Sequence, residues 1–158
     1  MNVSRQKLFI LITILIGVCL VAGGCSSQKP AKPMPGTPKE VANGIETEAQ
    51  KVEGVNKATA LVSDKNIYIG LDLKENIDKQ KSTAIEKSVL DRMMYLEPNY
   101  AMGVTSDMDL VRKIRYVAQN FAQGNPLSSF QNEIMEIDQG ISVKREALDS
   151  TTGTTGIK

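Results

Sequence analysis

The sequence predicts an α+β fold: a small three-stranded sheet with helices on one of its faces. Three observations carry that prediction. Two runs, Ala58 to Val62 and Ile67 to Leu73, alternate apolar and polar or small residues around the polar turn Ser63-Asp64-Lys65-Asn66, the pattern of a hairpin with one buried face. A third short run, Tyr100 to Thr105, follows a long helical stretch, which then serves as a crossover between strands. Apolar stripes at helical spacing account for the rest, and the order becomes α-β-β-α-β-α-α.

A leader and a tether precede this fold. Arg5 and Lys7 stand before an uncharged apolar segment, Leu8 to Ala22, that stops at Gly23-Gly24-Cys25. A basic start, an apolar middle and small residues at the end are the layout of a secretory signal peptide. The apolar part is about fifteen residues, short of the roughly twenty a spanning helix needs. The cysteine makes it look like a bacterial lipoprotein signal, cut between Gly24 and Cys25, with Ala22 where Leu is more usual. That likeness implies a diacylglyceryl group on the Cys25 thiol and membrane lipid as a partner on the extracytoplasmic face, where two acyl chains anchor stably. From Cys25 to Pro38 the chain reads as a tether with four of the six prolines, at 30, 33, 35 and 38, a composition that gives a semi-rigid spacer. Its lysines either favour anionic headgroups or only keep the linker soluble.

The folded domain is expected over 39–141. Thr37-Pro38-Lys39-Glu40 is a helix start, with Thr as cap, Pro in the first turn and Glu three residues after the cap. Val41, Ile45, Ala49 and Val52 follow as one stripe, and Gly54 is the expected helix stop. Ile77 to Leu96 reads as a long helix ended by Pro98. Ser106-Asp107-Met108-Asp109 opens the next, with Leu110, Ile114, Val117, Ala118 and Phe121 on one side. Gly124-Asn125-Pro126 breaks it, and a last helix is expected from Pro126 to Gly140. Residues 142–158 read as a polar, disordered tail.

Composition excludes several classes of function. The leader takes two of the 19 basic residues and none of the 18 acidic ones, so the remaining side chains sum to −1. No basic excess of the kind that nucleic-acid binding requires is left. The chain has no histidine, and its two cysteines are Cys19 in the leader and Cys25. That removes Ser-His and Cys-His nucleophiles, zinc sites and disulfides. No metal or cofactor is expected. Ser82, Ser88 and Ser142 each have a lysine nearby, but none sits in a recognisable strained turn. Asp107 and Asp109 fit helix capping better than a metal loop, which wants more oxygen ligands.

Two candidate interaction surfaces remain. Arg112, Lys113 and Arg115 form a basic cluster opposite Leu110 and Ile114, either a contact for phosphate, headgroup or an acidic partner, or the solvated side of an amphipathic helix. Leu61 and Tyr68 lie on the second sheet face with Thr59 and Gly103. They either form a patch for a partner or are covered by the last helix or the C-terminal segment.

Several stretches in order resemble the YhcN/YlaJ family of sporulation lipoproteins. They are Val52-Glu53-Gly54-Val55 leading into Lys57 to Ser63, the strand Asn66 to Leu73, Thr105-Ser106-Asp107-Met108-Asp109, and Ala118 to Phe121 continuing through Gly124-Asn125-Pro126-Leu127-Ser128-Ser129-Phe130. Met108 departs from the family's acidic motif, where Pro is expected. The resemblance implies a lipoprotein of an endospore former, held at a spore membrane and associated with germination or outgrowth, in a family without known enzymatic activity. The α+β module also resembles BON and ring-building domains of envelope proteins. The expected function is therefore non-enzymatic: a lipid-anchored binding surface for an envelope or spore protein. Self-association, or general envelope binding outside spores, is the alternative.

Overall fold

Thr37 sets the first helix. In the computed structural model, which describes residues 36–152 and side chains to 143, its backbone N–H donates to Glu40 Oε2 at 2.7 Å while Glu40 N–H donates to Thr37 Oγ1 at 3.4 Å. This reciprocal pair is the capping box the sequence predicts, and the hydrogen bonds hold the Glu40 carboxyl below its usual range. The leader, Cys25, the tether through Pro35 and residues 153–158 lie outside the described residues.

Helix α1 (Pro38–Ala49) ends earlier than expected. Gly54 instead sits in the turn that enters β1 (Val55–Ser63), at φ +94°. β1 pairs antiparallel with β2 (Asn66–Leu73), from Ser63 opposite Asn66 outward, and Asp64 takes the left-handed turn position at φ 52°. Helix α2 (Lys79–Leu96), capped by Asp78 accepting from Lys81 N–H at 2.8 Å, crosses over to β3 (Ala101–Thr105). β3 runs parallel to β2, so β2 is central and β1 and β3 are the edges. Helix α3 (Met108–Ala122), a short 3-10 turn (Leu127–Phe130) and helix α4 (Gln131–Thr152) complete the chain. Element order and class are as the sequence predicts.

The layering differs from the expectation of helices on one face. Ala58, Ala60, Val62, Ile67, Ile69 and Leu71 face α1 and α2, packed on Val41, Ile45, Val89 and Met93. Leu61 and Tyr68 face the other way, buried under Ile114 and Val117 of α3 and Ile137 and Ile141 of α4. Helices therefore cover both faces. Glycines on the second face let the helices come close: a Cβ on Gly70 would lie 3.2 Å from the α3 backbone at Val111 Cα, and one on Gly103 would lie 2.9 Å from the Ile141 side chain of α4, at Cγ2.

The last helix also runs beyond the expected stop at Gly140 and through the first part of the expected tail, to Thr152. Gly140 does not break it because α4 uses that residue to pass α3, where a Cβ would meet Leu110 Cδ2 at 2.7 Å. Good helix formers, Lys144 to Leu148, then carry it on.

Candidate functional site

The predicted basic cluster is dispersed by its partners. Arg112 pairs with Asp109 one turn away, and Lys113 with Glu136 of α4. Arg115 reaches Asp72 at the end of β2. The first two pairs are exposed and contribute little; the third is half-buried and ties α3 to the sheet. Asp107 is a cap, its Oδ1 accepting from Asp109 N–H at 3.0 Å and Leu110 N–H at 3.1 Å.

Leu61 and Tyr68 are 1% and 5% exposed. They do not form an open patch, because α3 and α4 cover them together; the sequence left a cover open as one outcome but assigned it to the last helix or the C-terminal segment and not to α3. The Tyr68 hydroxyl donates to Asp138 Oδ1 at 3.1 Å. Burial, helped by that carboxylate, pushes the phenol up to about 12. Of the serines with nearby lysines, Ser82 shares a 2.7 Å hydrogen bond with Ser106, whose hydroxyl and N–H both donate to Glu86 Oε1 at 2.6 Å. Ser88 donates to the Ala84 carbonyl at 2.9 Å.

What the structure brings together is the outer edge of β1. Strand alternation decides which of its backbone groups point outward. The pair Ser63–Asn66 closes the hairpin, so Thr59, Leu61 and Ser63 bond to β2, while Ala58, Ala60 and Val62 direct N–H and C=O away from it. The Ala60 N–H confirms this parity, donating to Glu46 Oε1 of α1 at 2.9 Å. The outward N–H groups of Ala58 and Val62 have no hydrogen bond to any described residue.

This edge is recessed. Helix α1 overhangs it on one side and α3 on the other, leaving a groove of about 250 Å³. The helices present three alanines, Ala42 from α1 with Ala118 and Ala122 from α3, beside the larger Gln119 and Phe121. Cations gather at the rim. Lys39 and Lys57 are exposed and form no ion pair among the described residues, and Arg115 lines the groove with its Nε lacking an acceptor. Of the residues singled out from sequence, Arg115 and Leu61 reach this groove and Arg112, Lys113 and Tyr68 do not. Lys39, Lys57 and Glu46 were missed. The alanines at 118 and 122, one turn apart, were the signal available for an open wall, but nothing local says that a strand edge lies beneath them.

Comparison with known proteins bears on this arrangement. The family described as sporulation lipoprotein YhcN/YlaJ matches over residues 28–141. A Bacillus subtilis (strain 168) protein described as a probable spore germination lipoprotein, YlaJ, is 26% identical over 102 residues, which cover 65% of this chain and 49% of that protein. The chain thus aligns with about half the length of that relative.

Proposed function

The chain belongs to the YhcN/YlaJ family of sporulation lipoproteins, and from that premise we propose that it is a non-enzymatic docking protein of the spore membrane that supports germination or outgrowth. Lipid anchoring comes with the family. Cys25 is the anchor in this reading, and ten residues, spanned by eleven Cα–Cα steps, lie between it and Gly36, where the described chain begins beside the groove. Extended, they reach at most about 40 Å, so the groove stays near the bilayer. No helix among the described residues is long and apolar enough to cross a membrane.

The observation that carries the docking role is the recessed free edge of β1. An edge strand is a template for another strand, and here it lies at the floor of a groove between α1 and α3. The chemistry-bearing side chains support a role without catalysis, because they are spent on structure: Asp107 on a helix start, Glu86 and Ser82 on the link to Ser106. Self-assembly through the same edge is disfavoured by the overhang of α1 and α3, which a second sheet would strike.

Fractionation of dormant spores and growing cells tests this reading, with native protein beside Cys25→Ser. The expected result is native protein in spore membranes and the variant unprocessed or released. Equal amounts in growing cells would shift the role to general envelope binding. A Cys25→Ser protein still held at the membrane with unchanged mass would remove the lipid anchor.

A further inference from the structure

We propose that the β1 edge takes an extended, acidic segment of a partner protein as an added strand, and that Glu46 is the group this strand displaces. The inference rests on the docking role above and names its ligand. Glu46 Oε1 stands 2.9 Å from the Ala60 nitrogen, where the carbonyl of a neighbouring strand would stand. The site therefore already holds an acceptor in the place a strand would put one. On either side the Ala58 and Val62 N–H groups point outward without a partner among the described residues, although these residues are 1% and 4% exposed. A buried amide without a partner is costly, and one added strand would satisfy all three positions at once.

Charge selects the occupant. Lys57 lies opposite Asp72 in the sheet, and Asp72 is engaged by Arg115. Arg115 takes that carboxylate, which leaves Lys57, like Lys39 at the rim, with no ion pair among the described residues. The one acidic lining residue, Glu46, is occupied by the edge itself. An incoming segment with Asp or Glu side chains meets the cations and releases Glu46.

The chain's own ends fit badly. Residues 26–35 carry Lys29 and Lys32, no acidic residue, and three prolines that lack the N–H a strand must donate. Residues 153–158 have no acidic side chain. A second copy would have to bring a sheet edge between two overhanging helices.

The test uses the mature lipoprotein in nanodiscs, labelled for amide NMR, with a fluorescent peptide of alternating Val and Glu and its Lys-for-Glu counterpart. The Glu peptide is expected to move the Ala58 and Val62 amides and to bind about tenfold more tightly than the Lys peptide, as two or three exposed ion pairs would give. The double variant Lys39→Glu/Lys57→Glu should reverse that preference. Glu46→Gln, which keeps an acceptor at Ala60 but removes the negative charge, should strengthen Glu-peptide binding. If both peptides bind equally and move the β1 amides, the acidic preference falls and the docking edge stands. If neither moves them, both fall. Movement with protein concentration alone assigns the edge to a second copy, and movement on changing to anionic lipid alone assigns it to the bilayer; either overturns the proposal.

Discussion

On the side of α1 and α2 the sheet presents Ile67, Ile69, Leu71 and Val62 to Val41, Ile45, Val89 and Met93. On the side of α3 and α4 it presents Gly70, Gly103, Thr59 and Thr105 around Leu61 and Tyr68. The first face holds its helices by filling volume with branched side chains. The second holds them by letting them come near and then tying them: Tyr68 to Asp138, Arg115 to Asp72. Burial on the first face is non-directional, worth about 1.5–3 kcal/mol for each large side chain, and sets stability. Contacts on the second are fewer and more specific, and they set where α3 lies. That placement matters because α3 forms one wall of the groove along β1.

The largest effect should come from the first face. Ile69 is fully buried in the central strand, and Ile69→Ala should cost about 2–5 kcal/mol of unfolding free energy through lost burial and the cavity left behind. Urea unfolding checks it. A loss below about 1 kcal/mol would mean that the face relaxes around the gap and that the contrast between the two faces is wrong.

Next comes overpacking of the second face. Gly70→Ala puts a Cβ 3.2 Å from Val111 Cα and 3.3 Å from its Cγ2. The nearest obstacle is helix backbone, so α3 must shift as a body, at about 1–3 kcal/mol. If groove width governs docking, this variant should also lose peptide binding out of proportion to its stability. Ile69→Ala, under folding conditions, should keep it. Equal losses in both would merge the two faces into one function.

A smaller effect follows from Tyr68. Its phenol is raised above the ordinary 10 to about 12 by burial and by Asp138. The folded state therefore holds this proton more tightly than the unfolded chain. The corresponding stability is complete below pH 10 and is lost as pH rises through about 12. Tyr68→Phe should lower stability by about 0.5–1.5 kcal/mol at neutral pH, from the lost hydrogen bond and the stranded carboxylate. It should also flatten the decline of stability between pH 10 and 12. Thermal melts across that range, read beside ultraviolet titration of the tyrosines, decide it. An unchanged slope would place the alkaline transition elsewhere.

The two faces were unequally legible in the sequence. Ala58, Ala60 and Val62 with Ile67, Ile69 and Leu71 repeat at the strand period, so the first face could be read directly. The second could not, because Gly70, Gly103, Thr59 and Thr105 are what a solvated face also looks like; small size marks either water or a close backbone, and only the neighbour distinguishes them. Leu61 and Tyr68 broke that pattern and left two readings open, a patch for a partner or a cover, and the neighbouring helices decide for the cover. The helix starts at Thr37 and Asp107 were visible because capping is local. The groove was hidden for a different reason. Which amides of β1 point outward follows from pairing with β2, and side-chain types do not encode it. Arg115 was visible as a cation, but its partner Asp72 lies 43 residues away.

That last point separates Arg115 from Arg112 on the same helix, and gives the smallest effect. Arg112 is mostly exposed and pairs with the exposed Asp109 one turn back. Such a pair gains little in water and loses side-chain entropy, so Arg112→Ala should change stability by no more than about 0.5 kcal/mol. Arg115 spans from α3 to β2 and is 30% exposed. Arg115→Ala should cost more than Arg112→Ala and should weaken the acidic peptide, whereas Arg112→Ala should leave that binding unchanged. If Arg112→Ala weakens it as much, the docking surface is the outer face of α3, and the cation cluster read from the sequence returns as the site. If only Arg115→Ala does, what matters on this helix is proximity to the β1 edge, and the charge of Arg112 serves the start of α3 alone.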